Sequence, residues 1–145
     1  MKIKALAFAA GLLAMGLCVV SCSNSGTEEN KRTAKGKYVK ITAEQAKAVM
    51  EENKEAIIVD VRTREEYEDV HIPDAVLIPN ETIEDEKPAM LPNLDDVILV
   101  YCRSGRRSKQ AAEKLVSIGY TDVRDFGGIN EWPYETVAGK GEKNA

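Results

Sequence analysis

Residues 97–118 read VILVYCRSGRRSKQAAEKLVSI, and the pattern changes twice within them. VILVY, residues 97–101, is an unbroken apolar run rich in β-branched side chains. A run that short suits a strand covered on both faces, as in a parallel sheet. SKQAAEKLVSI, residues 108–118, has helical spacing, with Ala111, Ala112, Leu115 and Ile118 inward and Gly119 at the C-terminal cap. Between the two lies a loop that crowds Arg103, Arg106 and Arg107 around Cys102 and Gly105. Like charges repel, so a loop of this kind makes sense where an anion compensates them.

The same alternation runs outward in both directions. YVKI, residues 38–41, is a short strand. Thr42 and Gln45 have capping-box spacing, with Ile41 placed to start a hydrophobic staple and Ala46, Val49 and Met50 on the buried face of the helix that follows. AIIVDV, residues 56–61, is a second buried strand. Thr63 and Glu66 form a second capping box, opening a short helix through about Val70. Residues 71–74, HIPD, make a turn, and AVLIP, residues 75–79, a third strand. Residues 80–96 are acidic and broken by proline, which predicts a long connection with one helical turn; Glu84, Asp85 and Glu86 there read as a solvated face. After the helix at 108–118, VRDF is a fifth strand, followed by Gly127, Gly128 and a terminal helix around 129–134. Strands alternating with helices specify an α/β domain with a mainly parallel sheet.

With 145 residues the chain supports one hydrophobic core. Its formal charge of −4, with no long basic stripe, argues against nucleic acid as a partner. The N-terminus has Lys2 and Lys4, an apolar run from Ala5 to Val20, then Ser21 and Cys22. This has the order of a secretory signal. The run is shorter than the roughly 20 residues of a bilayer span. Val19 to Cys22 also resembles the bacterial lipobox, whose cysteine is lipidated and becomes the new N-terminus. The expected organisation is a signal at 1–21, lipidated Cys22 and a polar tether through 37, a domain at 38–140 and a polar tail at 141–145. The expected location is exported and membrane-anchored through lipid on Cys22, facing the periplasm or the cell surface. The tether from Ser23 to Lys37 has a mean reach of about 20 Å. Cleavage discards Cys18 and lipidation occupies Cys22. Cys102 is then the one free thiol, and an intrachain disulfide is excluded.

Placing Cys102 just past a buried strand puts it where open α/β sheets bind ligands. The loop then enters the N-terminus of the helix beginning near Ser108. Unpaired amides and the helix dipole there favour anions, a thiolate included. Gly105 lets the backbone turn its N–H groups inward. Cys102 is therefore expected to be ionised at neutral pH and to face a small oxygen-rich anion. No group of histidine, cysteine and carboxylates has metal-ligand spacing, and no cofactor is expected. His71, the only histidine, is a candidate general base but fits better as a structural turn residue, and Trp132 as core or pocket wall.

YCRSGRRS, residues 101–108, resembles the active-site loop of the rhodanese family of sulfurtransferases. The segment at 58–79, IVDVRTREEYEDVHIPDAVLIP, is similar to the family's upstream signature, and GYTDVRDFGGINEW at 119–132 to its closing stretch. The resemblance covers roughly residues 38–138 and is closest to single-domain exported members. It implies a five-stranded, mainly parallel sheet with helices on both faces. It also implies that Cys102 takes the outer sulfur of a small anionic donor such as thiosulfate and passes it, as a persulfide, to a thiol or cyanide. Arg103, Arg106 and Arg107 would attract the donor, with Arg103 and Arg106 the first choices for contact. The loop amides, with Ser104, Gly105 and Ser108, would hold the terminal sulfur. Asp60 and Arg62 would hydrogen bond and pair with each other, supporting the loops. A monomer is expected. The family usually has glycine before the histidine and after the proline. Here Val70 and the Asp74 position must supply the backbone angles those glycines provide.

Three rival readings follow from the same residues. Phosphatases of related loop architecture place arginine six positions after the cysteine, and here that position is Ser108. A rhodanese-like domain can also serve as a non-catalytic binding module. A lone thiolate can act as a redox sensor, forming disulfides only between molecules, since no resolving cysteine is near.

Overall fold

The computed structural model describes residues 36–141, so the expected signal, Cys22 and nearly all of the tether lie outside the described residues. Five strands and three helices alternate: β1 (Val39–Lys40), α1 (Ala43–Glu52), β2 (Ile57–Asp60), α2 (Arg64–Asp69), β3 (Val76–Leu77), β4 (Val97–Cys102), α3 (Arg106–Ile118) and β5 (Asp122–Gly128). The strands form one sheet in the order β1-β5-β4-β2-β3, and every pairing is parallel. This is the α/β architecture that the alternation specifies. Among the described residues no helix is long and apolar enough to cross a membrane.

Side-chain alternation along β4 divides the core. Ile98, Val100 and Cys102 pack with Ala111, Ala112 and Leu115 of α3. Leu99 and Tyr101 point the other way, into a cluster with Ala46 of α1 and Tyr67 of α2. Helices therefore cover both faces, and β4 is buried along almost its whole length. Each fully buried aliphatic side chain contributes about 2 kcal/mol. Both capping boxes form as the spacing predicts. Thr42 and Thr63 accept from the amides of Gln45 and Glu66, whose side chains accept from the cap amides in return.

The structure departs from the sequence reading at several element ends, each with a local cause. Helix α3 starts at Arg106, not near Ser108, because Gly105 turns the chain at once with φ 92°. The terminal helix around 129–134 is only a 3-10 turn, Ile129–Glu131. Pro133 cannot donate a helical hydrogen bond and holds Trp132 in extended backbone. The connection at 80–96 contains one 3-10 turn, Asn80–Thr82. Gly127 and Gly128 lie inside β5, not after it. Val100 stands opposite Asp125 but Cys102 opposite Gly128, so β5 carries one extra residue there. Such a bulge bends the strand and re-aims what it carries. Of the two positions where the family usually has glycine, only Asp74 takes left-handed backbone, with φ 64°. Aspartate tolerates that region better than most residues. Val70 is extended, with φ −158° and ψ 133°, so valine fits there without strain.

Candidate active site

Cys102 ends β4 at the C-terminal edge of the sheet, and its residue is 1% exposed. The loop folds back over it, and the Gly105 amide donates to Sγ at 3.1 Å. Burial pushes the thiol up. The Ser108 and Ser104 amides, the Ser108 hydroxyl and the Gly105 amide outweigh it, leaving Cys102 more acidic than an ordinary cysteine. The Ser108 hydroxyl has one proton to share among that sulfur, the Gly105 carbonyl at 3.1 Å and the Gly127 carbonyl at 3.2 Å. Ser104, Gly105 and Ser108 thus gather around one atom.

The three arginines divide. Arg107 sits in the first turn of α3, where the helix dipole disfavours a cation. Its guanidinium grips Glu66 of α2 with two bonds, Nη1 to Oε2 at 2.7 Å and Nη2 to Oε1 at 2.8 Å. Arg107 thus braces α3 against α2, while its charge also acts on Cys102. Among the described residues Arg103 and Arg106 carry no ion pair, and both are exposed beside the loop. Arg103 lines a shallow pocket with Arg62, Glu66, Val70 and Asn130.

The Glu66–Arg107 grip has a testable acid signature. Hydrogen bonding from Arg107 holds the Glu66 carboxyl down at about 2, against an ordinary value of 4.5. A carboxyl whose folded value is depressed adds stability above its unfolded value and loses it as pH falls. The contribution is therefore complete above about pH 4.5 and lost as pH falls toward 2. Urea unfolding at pH 6 and pH 3 is expected to show a larger loss of midpoint for the natural chain than for Glu66→Gln. Equal losses would show that the pair contributes nothing to folding.

Asp60 and Arg62 form the expected ion pair, both almost wholly buried. Arg62 Nε and Nη2 donate to the carboxylate, the shortest contact being 2.6 Å from Nη2 to Oδ2. Nη2 also donates to the Val70 carbonyl at 2.6 Å, tying β2 to the end of α2. The guanidinium lies 5.6 Å from the Tyr101 ring centre. His71 stacks on Tyr67 at 3.8 Å, and its Nδ1 donates to the Tyr67 carbonyl at 2.8 Å. With the residue 2% exposed, His71 is a structural member of the turn.

Two features of the site escaped the sequence. One is Gly128, on which the loop rests: a Cβ there would lie 2.3 Å from the Arg103 carbonyl oxygen. The other is Asp125, fully buried in β5, whose Oδ1 accepts the Gly127 amide at 2.9 Å. Because β5 reads DVRDFGG, with Asp122 and Arg124 charged as well, no local signal set Asp125 apart.

The sequence profile of the rhodanese-like domain matches residues 42–135. The chain is 36% identical to the thiosulfate sulfurtransferase PspE of Escherichia coli over 81 residues, 56% of this chain and 78% of that protein. It is 38% identical to the thiosulfate sulfurtransferase GlpE of Pseudomonas syringae over 107 residues, 70% of this chain and 97% of that protein. Among solved structures, a rhodanese with anions from E. coli superposes with a TM-score of 0.54 at 36% identity, covering 58% of this chain and 99% of that one. A human single-domain sulfurtransferase superposes with a TM-score of 0.58 at 28% identity, covering 64% of this chain and 93% of that one. With its parallel sheet, its cysteine-centred loop and these similarities, the chain belongs to the rhodanese-like domain family.

Proposed function

We propose that this protein is a sulfurtransferase that carries sulfane sulfur on Cys102. The observation that supports it most is the convergence of the Ser104, Gly105 and Ser108 amides on one buried sulfur whose thiol is more acidic than an ordinary cysteine. In the first step the Cys102 thiolate attacks the outer sulfur of thiosulfate. A new S–S bond forms, the donor's S–S bond breaks, and sulfite leaves with the electron pair. The loop amides then hold the negative terminal sulfur of the persulfide. In the second step a thiolate or cyanide attacks that outer sulfur, and Cys102 is released as thiolate. Splitting one transfer into two displacements predicts ping-pong kinetics. Arg103 and Arg106 draw the dianionic donor to the loop, while Arg107 holds the loop in place through Glu66.

The natural N-terminal segment would anchor this domain to a membrane through lipid on Cys22, outside the cytoplasm. The persulfide is tested by mass spectrometry of the full chain after thiosulfate. The expected product is one sulfur atom heavier on the fragment carrying Cys102, and it reverts on addition of cyanide. An unchanged mass in a folded, reduced chain would set the reading aside.

A further inference from the structure

Asp125 is a buried charge near the loop that the proposed cycle does not use, and unlike the fully paired Asp60 and Arg62 it is only partly satisfied. Its residue is wholly buried, which carboxylates rarely are unless paired. Oδ1 accepts the Gly127 amide at 2.9 Å. Oδ2 accepts no hydrogen bond among the described residues and faces the Lys40 ammonium at 3.5 Å. The Lys40 side chain is 67% exposed, so this partner only partly repays the burial. A costly group in this place calls for a task, and its neighbours indicate one.

Gly127 occupies the bulge of β5 with φ 91°. Its carbonyl is one of the acceptors competing for the Ser108 proton, at 3.2 Å. Gly128, next in the chain, lies so close to the Arg103 carbonyl that a Cβ there would stand 2.3 Å from its oxygen. A Cβ at Gly105 would lie 3.5 Å from the Gly127 Cα and 4.0 Å from Lys40 Nζ. The carboxylate, the bulge and the loop are therefore packed in series, with Lys40 over the loop from β1. A small movement of Gly127 would change how the Ser108 hydroxyl divides its proton between a carbonyl and the sulfur.

We propose that Asp125 is a positioning residue for the Cys102 thiol: it fixes Gly127, Gly127 fixes the Ser108 hydroxyl, and Lys40 supplies the counter-charge. This rests on the reading of Cys102 as the reactive group. The other charges in reach are Glu131, whose Oε2 would lie 3.9 Å from a Cβ on Gly127, the Arg107–Glu66 pair, and Arg103 and Arg106 of the loop.

The test uses the full chain, with Asp125→Ala and Asp125→Asn. The first readout is the pH midpoint of Cys102 alkylation by iodoacetamide, resolved by mass spectrometry of the fragment that carries it. The second is kcat/KM for thiocyanate formation. Asparagine keeps an oxygen for the Gly127 amide and alanine does not. Alanine is expected to raise the midpoint by about one pH unit and to lower kcat/KM by about tenfold. Asparagine is expected to stay within about twofold of the natural chain in kcat/KM. An unmoved midpoint in the alanine chain, or asparagine falling as far as alanine, overturns the proposal. Should the alanine chain fail to fold, Lys40→Met carries the test, since that side chain is exposed. It leaves the carboxylate without its cation and is expected to raise the midpoint, and adding Asp125→Asn is expected to restore it. A midpoint that ignores both changes overturns the proposal. Alkylation needs no sulfur donor, so absence of sulfur transfer in the natural chain would count against the proposed function alone.

Discussion

The full chain with Cys102 changed to alanine is expected to form no thiocyanate above the uncatalysed background, a loss of about 10⁴-fold or more. The reason is covalent. The outer sulfur of the donor must be displaced from sulfite by a nucleophile held in line, and the cycle then needs an atom on which to keep it. No other thiol among the described residues can take over. The arginines and loop amides would remain, but they stabilise a charge that no longer forms. The fold should survive, because the change removes one buried sulfur and leaves a small cavity, costing about 1 kcal/mol. Thiocyanate assay and thermal unfolding on the same samples separate the two effects. A variant that keeps substantial turnover would remove Cys102 from the reaction. A variant that does not fold would be replaced by Cys102→Ser, which preserves volume but presents a hydroxyl that does not ionise near neutral pH.

The second large effect is expected from Gly128→Ala. The backbone there, at φ −124° and ψ 145°, suits any residue, so the consequence is purely steric. The new methyl would stand 2.3 Å from the Arg103 oxygen and 2.7 Å from both the Arg103 carbonyl carbon and the Ser104 Cα. All three atoms belong to the main chain or its Cα, so no side chain can swing aside. Either the loop lifts off β5 or the strand end bends away. Overpacking of this kind costs about 1–3 kcal/mol. Displacing the amides by about 1 Å is expected to lower kcat/KM about 100-fold. The matching measurements are kcat/KM and a urea unfolding curve. Activity within a few fold of the natural chain would show that the close approach of β5 is not what shapes the loop.

Much of this architecture is legible in the sequence, and the reasons differ by element. Residues 97–101 and 56–61 announce buried strands because a parallel sheet covered on both faces needs uniform apolar runs. Thr42 and Thr63 announce helix starts because a capping box is a local device. Where tertiary contacts decide, local signals fail. Glycine at 127 and 128 reads as the end of a strand, but pairing with β4 keeps both within it and makes a bulge. The terminal segment has helical composition, yet Pro133 and the burial of Trp132 stop it after one turn. In the site, Cys102 and its loop are contiguous and therefore visible. The bracing role of Arg107 is hidden because its partner, Glu66, stands 41 positions away in the chain. Gly128 lies in the double glycine of the closing stretch, but its contact with the loop, like that of Asp125 with Gly127, forms only in the folded sheet.

The pairing of β1 with β5, Val39 opposite Arg124, joins the beginning of the domain to its end. Contacts so distant along the chain form slowly, because loop closure must precede their reward. Of the residues set around the loop, Lys40 comes from β1 and depends on this pairing, whereas Gly127 and Gly128 are held by the nearer pairing of β5 with β4. A chain cleaved ahead of residue 122 keeps the loop amides but loses both the strand beneath the loop and the partner of β1. The surroundings of Cys102 are thus finished only when the two ends of the domain meet.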